Sequence, residues 1–333
     1  MPATLRFGLI GVGRWGKVYI RTLLSLSSSC RLTHLCTSKP ANVALLPYPV
    51  KAIGDWRELV GSDCDAVIIA TPPDTHAEIL EACLDAGKPC IVEKPFCLDL
   101  ATAERLHRRI QASNLPVLVN HTHLFNPAYQ ALKRAVEEEG ETVRLLLSEG
   151  MALGPFRADT PALWDRCPHD FSLCLDLLGQ TPLRIAGLGG PLDPRGCPEL
   201  VSFRLDFPGG ACAWVQAGNL SPQKRRNLSV FTDTRLYLLD DMASVKLTVS
   251  SIDFPRRYAD GIPDVLEKCP IMPTSELPPM ANAVTYFLEG LAGGDRQNFG
   301  TELAIEVTRL LTECEAVIRS CDSRGFQGLA VGR

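Results

Sequence analysis

Ile91-Val92-Glu93-Lys94-Pro95 is an apolar run that ends abruptly in an acid, a base and a proline. It predicts the end of a buried parallel strand, and in an open α/β sheet the carboxyl end of a strand is where ligands sit. Beside a bound dinucleotide, the Lys94 ammonium would stabilise charge on oxygen as an alcohol loses its proton and hydride. A surface lysine that merely stops a strand fits the pentapeptide equally well. The second chemical cluster is Trp164-Asp165-Arg166-Cys167-Pro168-His169-Asp170, ahead of an apolar helical stretch over 171–178 that Gly179 stops. Pro168 suits a first helical position, which places His169 in the first turn and Asp165 on the approach. A helix N-terminus disfavours an imidazolium, whereas a nearby carboxylate favours it. Both a structural and a proton-accepting His169 fit this stretch.

These groups need a scaffold. Leu5 to Ile10 is a short apolar run, followed at once by Gly11-Val12-Gly13-Arg14-Trp15-Gly16 and a helical pattern over 17–26. Strand, glycine turn and helix follow in the order of a dinucleotide fingerprint. Gly11 permits the tight turn, Gly13 lets the backbone approach a pyrophosphate, and Gly16 allows close helix–strand packing. The amides of Arg14 and Trp15 would point at phosphate. The second strand, 31–36, ends in Thr37-Ser38-Lys39 rather than in the acid that usually grips a ribose hydroxyl. A hydroxyl and a cation suit a 2′-phosphate, so the cofactor expectation is NAD(P) with a lean to NADP; Lys39 also reads as a turn residue before Pro40.

Further short apolar strands at 66–70, 89–93 and 116–119 alternate with helical stretches at 77–86 and 102–113, which indicates a parallel, doubly wound sheet closing near Asn120. His76, near a helix start, reads either as lining the cofactor cleft or as a polar first-turn residue. His107 reads as solvent-facing. Past Pro127 the periods change. A charged helix over 129–139 leads to a strand at 143–149, and after one further helix come strands at 183–188, 199–207, 211–217, 227–232, 235–239 and 245–249. Short turns between them predict an antiparallel sheet with its helices on one side. Trp214 and Val215 imply a sheet face that needs a cover, for which a partner subunit is the natural candidate. Helices over 278–291 and 301–320 close the chain. The expected organisation is therefore a Rossmann domain over 1–120 and an α/β domain for substrate binding and oligomerisation over 121–333.

The chain has 333 residues, 46% hydrophobic and 22% charged, with a net charge of −4. That is ordinary for a soluble globular protein. Lys224-Arg225-Arg226 is the one short basic run; it reads as a substrate-anion contact or as a solvated loop, and it does not support nucleic-acid or membrane-surface binding. No stretch approaches the roughly 20 apolar residues of a membrane span, and the strand begins too early for a secretory leader. Thirteen scattered cysteines form no Cys-x-x-Cys pair, so reduced, buried thiols in a cytoplasmic protein are expected. His121, His123 and His169 lack a zinc-ligand spacing, and no metal is expected.

Taken together, GVGRWG at 11–16, EKP at 93–95, Asp165-x-x-x-His169, TPPDTH at 71–76, HTHLFNPAY at 121–129 and NLSPQKRRN at 219–227 resemble the Gfo/Idh/MocA oxidoreductase family across nearly the whole chain. The versions at 121–129 and 164–172 look most like the branch associated with surface-polysaccharide and nucleotide-sugar metabolism. The resemblance implies an N-terminal Rossmann domain and a C-terminal α/β domain whose open sheet makes dimer or tetramer contacts. It also implies a site in which Lys94 assists alcohol deprotonation, His169 is general acid/base and Asp165 orients His169 or a substrate hydroxyl. Thr71, Pro72, His76, Glu93 and Lys94 would flank the cofactor with Val12, and His123 and Asn126 would join Lys94, Asp165 and His169 around a small-molecule substrate. The Lys94-Pro95 bond would be cis. Three positions depart from the family pattern: the missing acid after the second strand, Leu124 where relatives carry Arg, and Pro168 where they carry Gly. The implied reaction moves a hydride between nicotinamide and a ring hydroxyl or ketone of a sugar or its derivative. A nucleotide-binding sensor without turnover, and a reductase of a cyclic imine, are the rival readings.

Overall fold

The computed structural model describes residues 4–38, 46, 48–252, 267–294, 299 and 301–323. The chain forms two compact units, Met1–Asn126 with Glu276–Thr308, and Pro127–Ser275 with Arg309–Arg333.

In the first unit, six parallel strands run in the order β3-β2-β1-β4-β5-β6. They are β1 (Leu5–Ile10), β2 (Cys30–Cys36), β3 (Lys51–Ile53), β4 (Ala66–Ile69), β5 (Cys90–Glu93) and β6 (Val117–Asn120). Every residue of β4, β5 and β6 is buried, as expected of parallel strands covered on both faces. Helices α1 (Arg14–Ser25), α2 (Trp56–Val60), α3 (His76–Asp85) and α4 (Leu100–Ser113) make the crossovers. Helix α4 begins where the Asp99 side chain accepts from the Thr102 amide at 2.8 Å, an N-cap that satisfies one orphan donor. The order reverses at β1, so the switch point lies between β1 and β4. Strand β3 and helix α2 were not anticipated; three and five residues are too short to show a period. Helix α7 (Pro279–Leu291) returns to this unit and packs on α1, with Phe287 6.1 Å from Phe7 between ring centroids. His107 is half-buried rather than solvent-facing, its Nδ1 lying 2.5 Å from the Thr301 hydroxyl at the start of α8 (Glu302–Ser323).

The second unit is an eight-stranded sheet in the order β14-β13-β12-β11-β7-β10-β9-β8. Its strands are β7 (Leu145–Leu153), β8 (Arg184–Gly189), β9 (Leu200–Asp206), β10 (Cys212–Gly218), β11 (Leu220–Phe231), β12 (Arg235–Asp240), β13 (Leu247–Ser251) and β14 (Cys269–Pro270). All pairs are antiparallel except β7 with β10. Helix α6 (Ala162–Leu178) packs along β10, β7 and β9, and Phe171 meets Phe203 edge-on at 6.0 Å. Helix α5 (Pro127–Glu139) covers β12 and β13. On β10 the inward Ala213, Val215 and Ala217 are buried, whereas Trp214 between them is 47% exposed. Leu188 on β8 is exposed as well.

Of the twelve cysteines whose side chains are described, nine are buried free thiols and Cys269 is exposed. No helix among the described residues is long and apolar enough to cross a membrane.

Candidate functional site

The glycine turn sits where the strand order reverses. Gly11 has φ +94°, and a β-carbon there would lie 2.6 Å from the Ala70 carbonyl oxygen at the end of β4. A β-carbon on Gly16 would lie 2.1 Å from the Gly11 carbonyl oxygen, so α1 can approach β1 only without a side chain. Gly13 differs, because a β-carbon there would meet nothing within 4 Å. The helix begins at Arg14 with Gly13 as N-cap and no side-chain cap, three residues earlier than the sequence pattern indicated. An uncapped helix N-terminus beside open space at the carboxyl edge is the arrangement that receives a pyrophosphate. The residues present therefore fit a dinucleotide.

Thr37 and Ser38 leave the end of β2, half-buried and exposed respectively. Lys39 lies outside the described residues. Thr71 and Pro72 follow β4 and lead into the 3-10 turn Pro73–Thr75. His76 is wholly buried, and its Nδ1 and Nε2 each lie 3.0 Å from a backbone carbonyl, of Pro95 and of Thr71. Burial pushes the imidazole below its ordinary value against the pull of those carbonyls. An uncharged ring has one N–H and donates to one of the two carbonyls, and His76 thereby packs between the exits of β4 and β5.

Glu93 and Lys94 end β5, 3% and 7% exposed, and the Lys94-Pro95 peptide is cis. The Glu93 side chain is the centre of a buried network that the sequence did not reveal. Tyr19 of α1 donates to Glu93 Oε1 at 2.8 Å, and Asn120 of β6 donates to the same oxygen at 3.0 Å and to the Tyr19 hydroxyl at 2.7 Å. Burial raises the Glu93 carboxyl above the usual range, opposed by the two donors and the Lys94 charge. Burial likewise raises Tyr19, reinforced by Glu93. Three elements that carry the glycine turn, the lysine and the next strand are thereby pinned at one edge of the sheet.

His121 follows Asn120 directly. It is 3% exposed, and neither ring nitrogen has a hydrogen-bond partner among the described residues. Burial, with the Lys94 charge adding to it, lowers its imidazole to about 4. His123 is half-buried, and Asn126 is buried just before α5.

Asp165 and His169 belong to the second unit. Helix α6 begins at Ala162, after an extended Pro161, so Pro168 lies inside the helix and Asp165 in its first turn. The expectation that Pro168 opens the helix is thus corrected. Pro168 cannot donate to the Trp164 carbonyl, but nearly every residue from Ala162 to Leu175 is buried, and that packing overrides the proline's local cost. His169, 8% exposed, therefore lies beyond the first turn, where the macrodipole has little hold on it. Asp165, four residues before, shares its helix face and has Arg157 Nη1 at 3.5 Å.

The neighbouring Asp170 is fully buried and accepts from Ser148 at 2.6 Å and from Arg226 at 2.8 Å. Arg225 pairs with Glu149 at 3.1 Å. Two of the three cations in Lys224-Arg225-Arg226 therefore face carboxylates.

Comparison with known proteins places this geometry in a family. The profile described as "Oxidoreductase family, NAD-binding Rossmann fold" matches residues 5–121. A UDP-N-acetylglucosamine 3-dehydrogenase of Acidithiobacillus ferrooxidans is 26% identical over 264 residues, 78% of this chain and 80% of that enzyme. An inositol 2-dehydrogenase of Rhizobium meliloti is 29% identical over 199 residues, 57% of this chain and 59% of that enzyme. A crystal structure from Magnetospirillum magnetotacticum MS-1, described as a candidate oxidoreductase, superposes with a TM-score of 0.84 at 35% identity, covering 94% of this chain and 100% of that one. The chain belongs to the Gfo/Idh/MocA family of oxidoreductases with an NAD-binding Rossmann fold.

Proposed function

We propose that the protein oxidises a secondary hydroxyl of a sugar, polyol or nucleotide sugar, or reduces the matching ketone, with NAD(P). The observation that carries the reading is a dinucleotide turn over the switch point with a buried lysine at the end of β5, on the same edge of the sheet. The relatives named above act on hydroxyl groups of a nucleotide sugar and an inositol, which supports the substrate class. When bound, nicotinamide supplies the hydride acceptor or donor. Lys94 offsets negative charge on the substrate oxygen, and His169 receives or returns the hydroxyl proton. Asp165 orients His169 or a substrate hydroxyl, and His123 and Asn126 contact the substrate. The glycine turn with Val12, Arg14 and Trp15 holds the pyrophosphate, and Thr37 and Ser38 accommodate the adenosine ribose. Absence of an acid after β2 favours NADP over NAD. We assign the exposed face around Trp214 to a homodimer or homotetramer contact.

The test is a spectrophotometric screen of UDP-N-acetylglucosamine, inositols and simple sugars with NAD and NADP. Reduction of nicotinamide with one of them, abolished by Lys94→Ala and His169→Ala without loss of nucleotide binding, is the expected result. Full turnover in both variants would remove the assignment. Equal affinity for the two nucleotides would remove the NADP preference.

A further inference from the structure

We propose that His121 contacts the substrate, its imidazole hydrogen-bonding a hydroxyl of the molecule presented to Lys94. The inference rests on the dehydrogenase reading above and extends it to a residue outside the Lys94, Asp165 and His169 set.

Three observations carry it. The first is the state of the ring. Buried polar groups are almost always paired, and at His76 a carbonyl lies 3.0 Å from each ring nitrogen, so the one N–H of an uncharged ring has an acceptor. At His121 both nitrogens are buried and neither has a partner among the described residues. A donor and an acceptor are held ready with nothing among the described residues to use them.

The second is place. Strands β5 and β6 are parallel and in register, Glu93 opposite Asn120. The next residue of each strand is Lys94 and His121, so the two leave the carboxyl edge side by side, about 4.8 Å being the spacing of neighbouring strands. The edge order β1-β4-β5-β6 puts His121 one strand farther from the glycine turn than Lys94. A nucleotide held by the glycine turn would lie over the switch point, and His121 stands beyond it, on the side that would be left to the substrate.

The third is chemistry. Burial and the neighbouring ammonium keep the ring uncharged at neutral pH. A neutral imidazole offers one N–H and one lone pair, which suits a hydroxyl, a group that both donates and accepts. A carboxylate would leave the lone pair unmatched. A metal is not favoured, since no group of three ligating side chains occurs among the described residues.

The experiment uses the full-length protein with ring-¹⁵N histidine; there are six histidines, and His121→Gln assigns the signal. NADP or NAD is added first, then myo-inositol or UDP-N-acetylglucosamine. The expected result is a His121 ring signal little changed by nucleotide and shifted, with one tautomer fixed, by the sugar or polyol. In the same preparations His121→Gln should raise KM for the substrate about 10- to 100-fold while nucleotide affinity stays within about twofold. His121→Asn, shorter and still polar, serves if the Gln variant does not fold. A signal moved fully by nucleotide alone, or unmoved while a polyol is being oxidised, overturns the inference and leaves the dehydrogenase reading standing. A shift on polyol binding without any turnover upholds the contact and sinks the dehydrogenase reading instead.

Discussion

The buried, uncharged state of His121 has a consequence for stability that is independent of catalysis. In the folded chain the imidazole titrates at about 4, against 6.5 for the ordinary group. Between those values the unfolded chain carries a proton here that the folded chain does not. The sign follows directly: the folded state is favoured above pH 6.5 and loses that advantage as the pH falls toward 4. One pH unit corresponds to about 1.4 kcal/mol, so the gap of about 2.5 units amounts to about 3 kcal/mol, of which about 2 kcal/mol is lost between pH 6.5 and pH 5. His121→Gln removes the titrating group and keeps a polar side chain of similar reach. Urea unfolding of both proteins, followed by intrinsic fluorescence at pH 7.5 and pH 5, measures the difference between them at each pH. Other titrating groups are common to the two proteins and cancel. The gap between wild type and variant should close by about 2 kcal/mol on acidification. A gap that does not change with pH refutes the reasoning, and so does an NMR titration of the ring centred near 6.5.

Other substitutions separate the roles of individual contacts. Gly13→Ala adds a methyl group where nothing lies within 4 Å; it should leave the melting temperature within about 1 °C and weaken nucleotide binding at least tenfold. Gly16→Ala drives a methyl group onto the Gly11 carbonyl and should also destabilise the protein by about 1–3 kcal/mol, read as a lowered urea midpoint. Arg226→Met strips the fully buried Asp170 of its cation; a loss of about 3–5 kcal/mol is expected, and unchanged thermal stability would contradict the pairing. Trp214→Arg on the exposed sheet face should lower the assembly state in analytical ultracentrifugation, whereas an unaltered sedimentation profile would exclude that face as the contact.

How much of this was legible beforehand depended on the range of the interactions involved. The glycine turn could be read because the reasons for each glycine lie within a few residues or on the next strand, and the buried parallel strands announced themselves as apolar runs. The local pattern places the start of α6 too late because proline has a strong preference for the first turn; Pro161 precedes the helix and Pro168 is carried inside by burial that no local pattern encodes. The Tyr19, Glu93 and Asn120 network joins residues separated by 74, 27 and 101 positions, which only strand order can bring together. In the sequence His121 stands out only as one of three histidines without a zinc-ligand spacing. The signal that singles it out, register with Lys94, appears once β5 and β6 are known to be neighbours. The fate of Arg225 and Arg226 likewise turned on pairing, opposite Met151 and Gly150 of β7.

The interior thiols turn the chain into its own reporter of integrity. Burial holds Cys167, Cys174 and Cys314 in the protonated form, and pushes Cys30 up to about 11 and Cys97 to about 12. The thiolate is the species that alkylating reagents and oxidants attack, so these groups stay silent while the protein is intact. The exposed Cys269 would label at once, the half-buried Cys197 and Cys212 would follow, and each buried thiol would mark the opening of the unit that encloses it. Pulse alkylation with mass readout therefore yields separate opening rates for the two units without any introduced label.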